Sequence, residues 1–467
     1  MHDFLHLIIS LLQRGVGFAV AAVALCCAVF LVVYVLFRIL TRGARPFPWR
    51  SAVSALLLVG YLAVLLYATL FRYTSGGWPE ANFHLFRAWR EAWNSFSLQL
   101  WLNVLLNIAL FVPLGVLLPL LGRPFRRWYI ALPAGFMVSL AIEAIQYLAG
   151  RGMFDVDDLV CNTLGCGLGY CIVMILWRVL VRRERGAKGW LPYLAYPVAF
   201  ALSMAVIFGG YHLKEYGNLP EAPAFRENLA GIRWELACTL GEGVSSAPVY
   251  RTARLDKESC DQFGQEFAQI AGLSFPDAYY YDNATLFANH STGDFLMVNY
   301  LDGSYDYSLG TDTWGLSDAQ VDEETLRAML RPYGIELPAG TPLRYEGSGV
   351  HVFAVDMQVI EGGILDGELR CRCKQGPLLD EIENSLATFS PYREAAVITP
   401  AQAYEQMQGG AFSGADFFAN YMPRQITVTS CTLDYRVDTK GFYQPVYVFE
   451  TTVEEEPVWD VVIPAMK

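Results

Sequence analysis

Apolar positions crowd into the first 210 residues and then give way to short alternating stretches. A helix needs roughly 20 apolar residues to cross the hydrocarbon core of a bilayer. Six runs meet that length, at about 16–40, 52–71, 101–121, 129–149, 158–181 and 190–209. Residues 1–14 (MHDFLHLIISLLQR) are apolar but too short to span, and they read as an interfacial helix ahead of the first span. Beyond residue 210 the period changes to two. YLDGSYDYSL (300–309), VHVFAVDMQVI (350–360) and QITVTSCTLDYRV (425–437) read as half-buried strands. SDAQVDEETLRAMLRPYGI reads as an amphipathic helix capped by Ser317. The pattern therefore predicts an all-α polytopic membrane bundle of about six transmembrane helices, followed by an α+β soluble domain.

The expected organisation is an interfacial helix and first span over 1–50, a membrane domain over 51–182, a last span over 183–210 and a soluble domain over 211–467. The composition agrees: 54% of the 467 residues are hydrophobic. The first span is too long for a cleaved signal and lacks a small-x-small exit site. Basic residues gather in three alternate loops, at 41–50 (Arg42, Arg45, Arg50), 122–128 (Arg123, Arg126, Arg127) and 181–189 (Arg182, Arg183, Arg185, Lys188). By the positive-inside rule these face the cytoplasm together. The loops at 72–100 and 150–157, and everything after about residue 210, are then expected outside, making a multi-pass cell-membrane protein with an extracytoplasmic C-terminal domain.

One stretch breaks the apolar pattern. IEAIQYLAGRGMFDVDDLVCNTLG (142–165) carries Glu143, Gln146, Arg151, Asp155, Asp157, Asp158 and Asn162 between two spans. At 1.5 Å per residue, Glu143 falls roughly 9 Å below the outer end of its helix, and Asn162 and Asn107 fall at a similar depth on two other helices. Glu143 with Gln146, Asp158 with Asn162, and Asn103 with Asn107 each share a helix face. An intramembrane carboxylate costs a few kcal/mol or more unless it is paired or hydrated. These groups are therefore expected to line a ligand-binding pocket, with Arg151, or Arg72 at the end of the second span, as a candidate phosphate partner. The plainer alternatives are that Asp157 or Asp158 caps a helix and that the amides cross-link helices. Gly165 and Gly169 fit close helix packing, and Pro113 and Gly115 a bend in the third span.

NVLLNIALFVPLGVLLPLL followed by SLAIEAIQYLAGRGMFDVDDLVCNTLGCGLG resembles the VanZ-like family over roughly residues 50–180. The family pattern is carried by Asn107, Phe111, Pro113, Gly115, Glu143, Gln146, Arg151, Asp155, Asp157, Asp158, Asn162, Thr163 and Gly165. The resemblance implies a bacterial cell-envelope role linked to tolerance of the glycopeptide teicoplanin, and it implies no particular reaction. Near the other end, VITPAQAYEQMQGGAF with ITVTSCTLDYRVDTKGFYQPVYVFETTV resembles a PepSY-type repeat over about 392–467. Such repeats are small helix-plus-sheet modules of extracytoplasmic proteins.

Chemical motifs are few. There is no Walker loop, Rossmann glycine pattern, HExxH or GxSxG, so no catalytic residue, cofactor or metal site is assigned. RCRC (370–373) lacks the second ligand pair of a zinc site. The net charge of −12 and the absence of a basic stripe argue against nucleic acid. Cys371 and Cys373 face one side of a strand, and one of them is expected to pair with Cys431 or Cys238, with Cys260 less favoured. The favoured function is a non-enzymatic envelope protein whose pocket takes a lipid-linked wall precursor, a phospholipid headgroup or a glycopeptide tail. The alternatives are a membrane enzyme using Glu143 or Asp158 as general acid or base, and an anchored sensor or scaffold whose outer domain binds a protein.

Overall fold

The computed structural model describes residues 24, 27, 28, 30–32, 34–42, 47–70, 81–183, 186–310, 315–376, 378–453 and 456–467. The expected interfacial helix at 1–14 lies outside these residues, as do Arg72 and most of the expected first span, although 34–40 are helical. The chain divides into two compact units. One comprises Met1–Ala92 and Leu98–Lys214, the other Trp93–Ser97 and Glu215–Lys467.

Among the described residues, five helices are long and apolar enough to cross a membrane. They are α1 (Trp49–Leu70), α3 (Leu98–Leu121), α4 (Trp128–Leu148), α5 (Val156–Leu176, continued by a π-helical turn over Trp177–Val181) and α6 (Leu191–Leu213). The 72–100 region, read from sequence as a loop, contains the amphipathic helix α2 (Arg87–Ser95). Two-residue strands at Ala81–Asn82 and Phe154–Asp155 pair in parallel, so the segment before α2 meets the α4–α5 turn at one end of the bundle. At the other end the Arg126 and Arg182 guanidiniums both stack on the Trp177 ring, at 4.5 and 4.4 Å from its centre. Two of the three basic loops therefore share one end, as their spacing predicts.

Helices α3 and α5 approach closely because of glycine. A Cβ placed on Gly115, Gly165 or Gly169 would stand 2.0, 1.8 or 2.0 Å from a backbone oxygen of the facing helix (Cys166, Ile108 and Val112). Only hydrogen fits there, and in lipid, where apolar burial gives little drive, such close packing is what holds helices together. Pro113 lies inside α3 without ending it. The nearby Leu110 carbonyl accepts a hydrogen bond from the Tyr61 hydroxyl of α1 at 2.6 Å. Leu65, Phe111, Leu114, Leu118 and Ile142 fill the space between α1, α3 and α4.

The second unit is built on one sheet, of 15 strands among the described residues. Its main path runs through strands 233–236, 425–437, 442–453, 246–252, 387–396, 363–374, 378–384, 305–308, 294–299, 284–289 and 277–280. Neighbours are antiparallel except 233–236, which runs parallel to 425–428. Helices cover the sheet at two places. α7 (Lys257–Ala271) and α8 (Glu323–Leu330) pack with Phe267, Leu326 and Leu330 onto Tyr307, Phe353 and Leu369. α9 (Pro400–Gln408) and α10 (Ala415–Tyr421) pack with Met407 and Phe418, and their connection with Phe412, onto Ile426, Val428 and Phe449.

Two expectations are corrected here. The cap of α8 lies five positions beyond the one assigned from sequence: Asp322, not Ser317, accepts the Thr325 N–H at 2.9 Å. The expected disulfide is absent: Cys238, Cys260, Cys371, Cys373 and Cys431 are all free thiols. Cys371 and Cys373 do face the same side, but it is the hydrophobic core they share with Cys260, whereas Cys238 and Cys431 pack against the other cluster.

Candidate functional site

The expected site residues gather at the end of the bundle where α4 gives way to α5. The connecting turn needs Gly150 at φ +60°, a left-handed conformation that glycine adopts without strain. Asp155 then caps α5, accepting the Asp157 N–H at 2.8 Å. Its carboxylate also accepts the Asn82 amide at 3.1 Å. Burial pushes the Asp155 carboxyl above its ordinary range, while the hydrogen bond from Asp157 N–H opposes that shift.

Asp157 is 1% exposed, and its two oxygens accept the Phe86 and Ala88 N–H groups at the start of α2. These are orphan donors of a helix N-terminus, so the charge also complements the helix dipole. Asp155 and Asp157 thus position the polypeptide: of the two residues for which capping is the plainer alternative, Asp157 caps α2, while the cap of α5 is Asp155 and not Asp158. Gln146 is a cross-link as well: its amide donates to the Thr69 carbonyl of α1 at 3.1 Å. Arg151 lies half-buried in the turn, with its N–H on the Gln146 carbonyl at 2.9 Å. Arg72 is outside the described residues.

The remaining four residues face one another across three helices. Asn107 of α3 donates its amide to Asp158 Oδ1 of α5. Glu143 of α4 is 3% exposed, and its Oε2 accepts the Asp155 N–H at 3.2 Å. Asp158 and Asp155 lie within electrostatic reach of that carboxylate. One turn deeper, Asn162 of α5 donates to Ser139 Oγ of α4 at 2.8 Å. Ser139 escaped the sequence reading, although its spacing of four from Glu143 puts both on one face. Along α6, Phe86, Trp89, Leu164, Tyr196, Phe200 and Ile207 line an apolar groove of about 440 Å³, to which none of Asn107, Glu143, Asp158 and Asn162 contributes. The hydroxyls of Tyr196 and Ser203 are already bonded to the Leu164 and Ala199 carbonyls, which leaves the wall apolar.

Every one of these site residues on α3, α4 and α5 falls inside a segment with known relatives. Residues 58–178 match the VanZ/LLP1 family. The VanZ-like segment takes in most of α1 and the whole of α2 to α5, but neither α6 nor the sheet unit. No curated protein matches the chain. A crystal structure of an uncharacterized protein from Eubacterium rectale is similar over 50% of this chain and 86% of that one, at 11% identity and a TM-score of 0.27. That score carries no conclusion about fold or function.

Helix α2 has no span-like signal in the sequence. RAWREAWNS is too polar and too short to resemble a span, and its only N-terminal signal lies about 70 residues away, in Asp157. Without α2, Asp157 looks like a pocket residue.

Proposed function

We propose that the protein is a VanZ-like membrane protein of the cell envelope that binds a lipid-linked or glycopeptide ligand at its polar site, and that it contributes in this way to glycopeptide (teicoplanin) tolerance. The observation carrying this reading is the gathering of Asn107, Glu143, Asp158 and Asn162 inside the bundle. A buried polar cluster within a membrane bundle suits the polar head of an amphiphile whose tail stays in the bilayer. Helix cross-linking alone requires no buried Glu143 beside a second carboxylate, since amides do the same at lower cost.

The reading places the site end in the outer leaflet, with the basic loops at 41–50, 122–128 and 181–189 inside and the sheet unit outside. There the PepSY-like part, about 392–467, is available to an extracytoplasmic protein partner. Cysteine labelling of intact cells on a Cys-free background tests the orientation: labelling within 181–189 but not beyond 220 overturns it. Lipid identification by mass spectrometry on the purified full-length protein tests the ligand. Glu143→Gln and Arg151→Ala are expected to insert at normal levels with normal thermal stability, and to lose bound lipid and glycopeptide tolerance. Wild-type behaviour of both variants refutes the site.

A further inference from the structure

We infer that the head of the ligand is a primary ammonium, held by Glu143, Asp158 and Asn162. The inference rests on the lipid-site reading above and narrows it to a ligand class.

The geometry is a small rectangle. Ser139 and Glu143 stand one turn apart on α4, and Asp158 and Asn162 stand one turn apart on α5. The deeper pair is closed by the Asn162–Ser139 hydrogen bond. The shallower pair sets two carboxylates opposite each other, with no cation paired to either among the described residues. Each carboxylate accepts one hydrogen bond there, Glu143 from the Asp155 N–H and Asp158 from Asn107, which leaves one oxygen apiece.

The independent observation is Asn162. It is 6% exposed, its Nδ2 is bonded to Ser139, and its buried Oδ1 has no hydrogen-bond partner among the described residues. Buried carbonyl oxygens are rarely left so, because desolvation without a partner is costly. The Asn162 Oδ1 and the two carboxyl groups thus lie within one helical turn of each other on the facing sides of α4 and α5. Phosphate brings more acceptors and is repelled. A quaternary ammonium brings charge without a donor. A primary ammonium brings one charge and three donors, which matches three acceptors. Entry is from the side of Asn107 and Asp158, the half-buried members of the group.

A lipid headgroup and a free small amine share this chemistry, and the test separates them. The full-length protein is reconstituted in phosphatidylglycerol nanodiscs doped with phosphatidylethanolamine or with phosphatidylcholine, and retained lipid is measured by native mass spectrometry. Phosphatidylethanolamine is expected to be retained about tenfold or more over phosphatidylcholine, the factor conferred by one charge-assisted hydrogen bond. Asp158→Asn and Asn162→Leu should each remove the preference. Asn162→Leu adds no charge change, so it keeps the test open if the carboxylate variant fails to insert. Displacement by free ethanolamine assigns recognition to the amine alone, and resistance to it assigns recognition to the whole lipid; both support the inference. Equal retention of the two lipids overturns the ammonium assignment and leaves the lipid site standing. Retention of no lipid at all overturns both.

Discussion

Gly165→Ala should open the seam between α3 and α5. The new Cβ would stand 1.8 Å from the Ile108 carbonyl oxygen, where real Cβ contacts stop near 3.0 Å. The deficit is about 1.2 Å (3.0 − 1.8). The obstacle is backbone, so no side-chain rotation relieves it and the helices must separate. Overpacking of this kind costs about 1–3 kcal/mol. Separation also thins the contacts at Gly115 and Gly169, where a gap of about 0.5–1 Å already forfeits a quarter to a half of each dispersion well. The Asn107–Asp158 hydrogen bond spans the same two helices, and a bond to a charged group is worth about 1.5–3 kcal/mol. Together these give about 2.5–6 kcal/mol. Reversible unfolding of the full chain in mixed micelles, followed by circular dichroism, reads that loss. Gly209→Ala in α6 is the control, since its Cβ meets nothing within 4 Å; it should be neutral or stabilising by up to about 1 kcal/mol. A Gly165→Ala protein within about 0.5 kcal/mol of wild type, below the overpacking range, refutes the close-packed seam.

Three further outcomes concern the sheet unit. Asp438 is fully buried and accepts the N–H groups of Gly217, Lys440 and Phe442 together with the Gln444 amide. Asp438→Ala should therefore cost about 3 kcal/mol or more, and an unchanged thermal melt would contradict this. Thr399 and Gln402 form a capping box on α9, so Thr399→Ala should speed amide exchange across 400–408, for a loss of about 1 kcal/mol, and unaltered exchange would argue against the cap. Burial pushes the thiols of Cys373 and Cys431 up to about 11, from an ordinary 9.0. The folded chain thus holds these protons more tightly than the unfolded chain, so this contribution is intact below about pH 9 and drains away between pH 9 and 11. Aromatic-disulfide titration at pH 8 should find both thiols slow until denaturant is added, and fast reaction in the native state would show that they are not buried.

The spans were legible because a bilayer imposes a length on any helix that crosses it, and α3, α4, α5 and α6 start and stop within four residues of the apolar runs. The glycine seam was legible from the spacing of Gly165 and Gly169 for the same reason: it is a local, periodic signal. Asn107, Glu143, Asp158 and Asn162 could be brought together because depth along a helix follows from counting residues. The roles of Asp155 and Asp157 could not be separated from theirs, since capping α2 depends on a contact about 70 positions away. The sheet was only partly legible. Strands 350–360 and 425–437 announce themselves by alternation, but nothing in either indicates its neighbours. The cysteine pairing failed for the same reason: Cys371 and Cys431 belong to different clusters of one sheet, and only register reveals that.

The parallel pairing of 233–236 with 425–428 sets a clock on biosynthesis. The first partner leaves the ribosome 192 residues before the second (425 − 233). At about 5–20 residues per second, that is a wait of about 10–40 s. Strand 246–252 waits too, since its partners are 387–396 and 442–443. The hairpins from 277 to 308 need only their immediate neighbours and close within microseconds of emerging. Assembly therefore spreads from the middle of the sequence outward, and the segment RWEL, the end strand of the sheet path, is the last to be joined on. A chain truncated before residue 425 loses strands 425–437 and 442–453 and leaves 246–252 as a bare edge, a template for pairing with another copy, so the final forty-odd residues act as a stopper against aggregation.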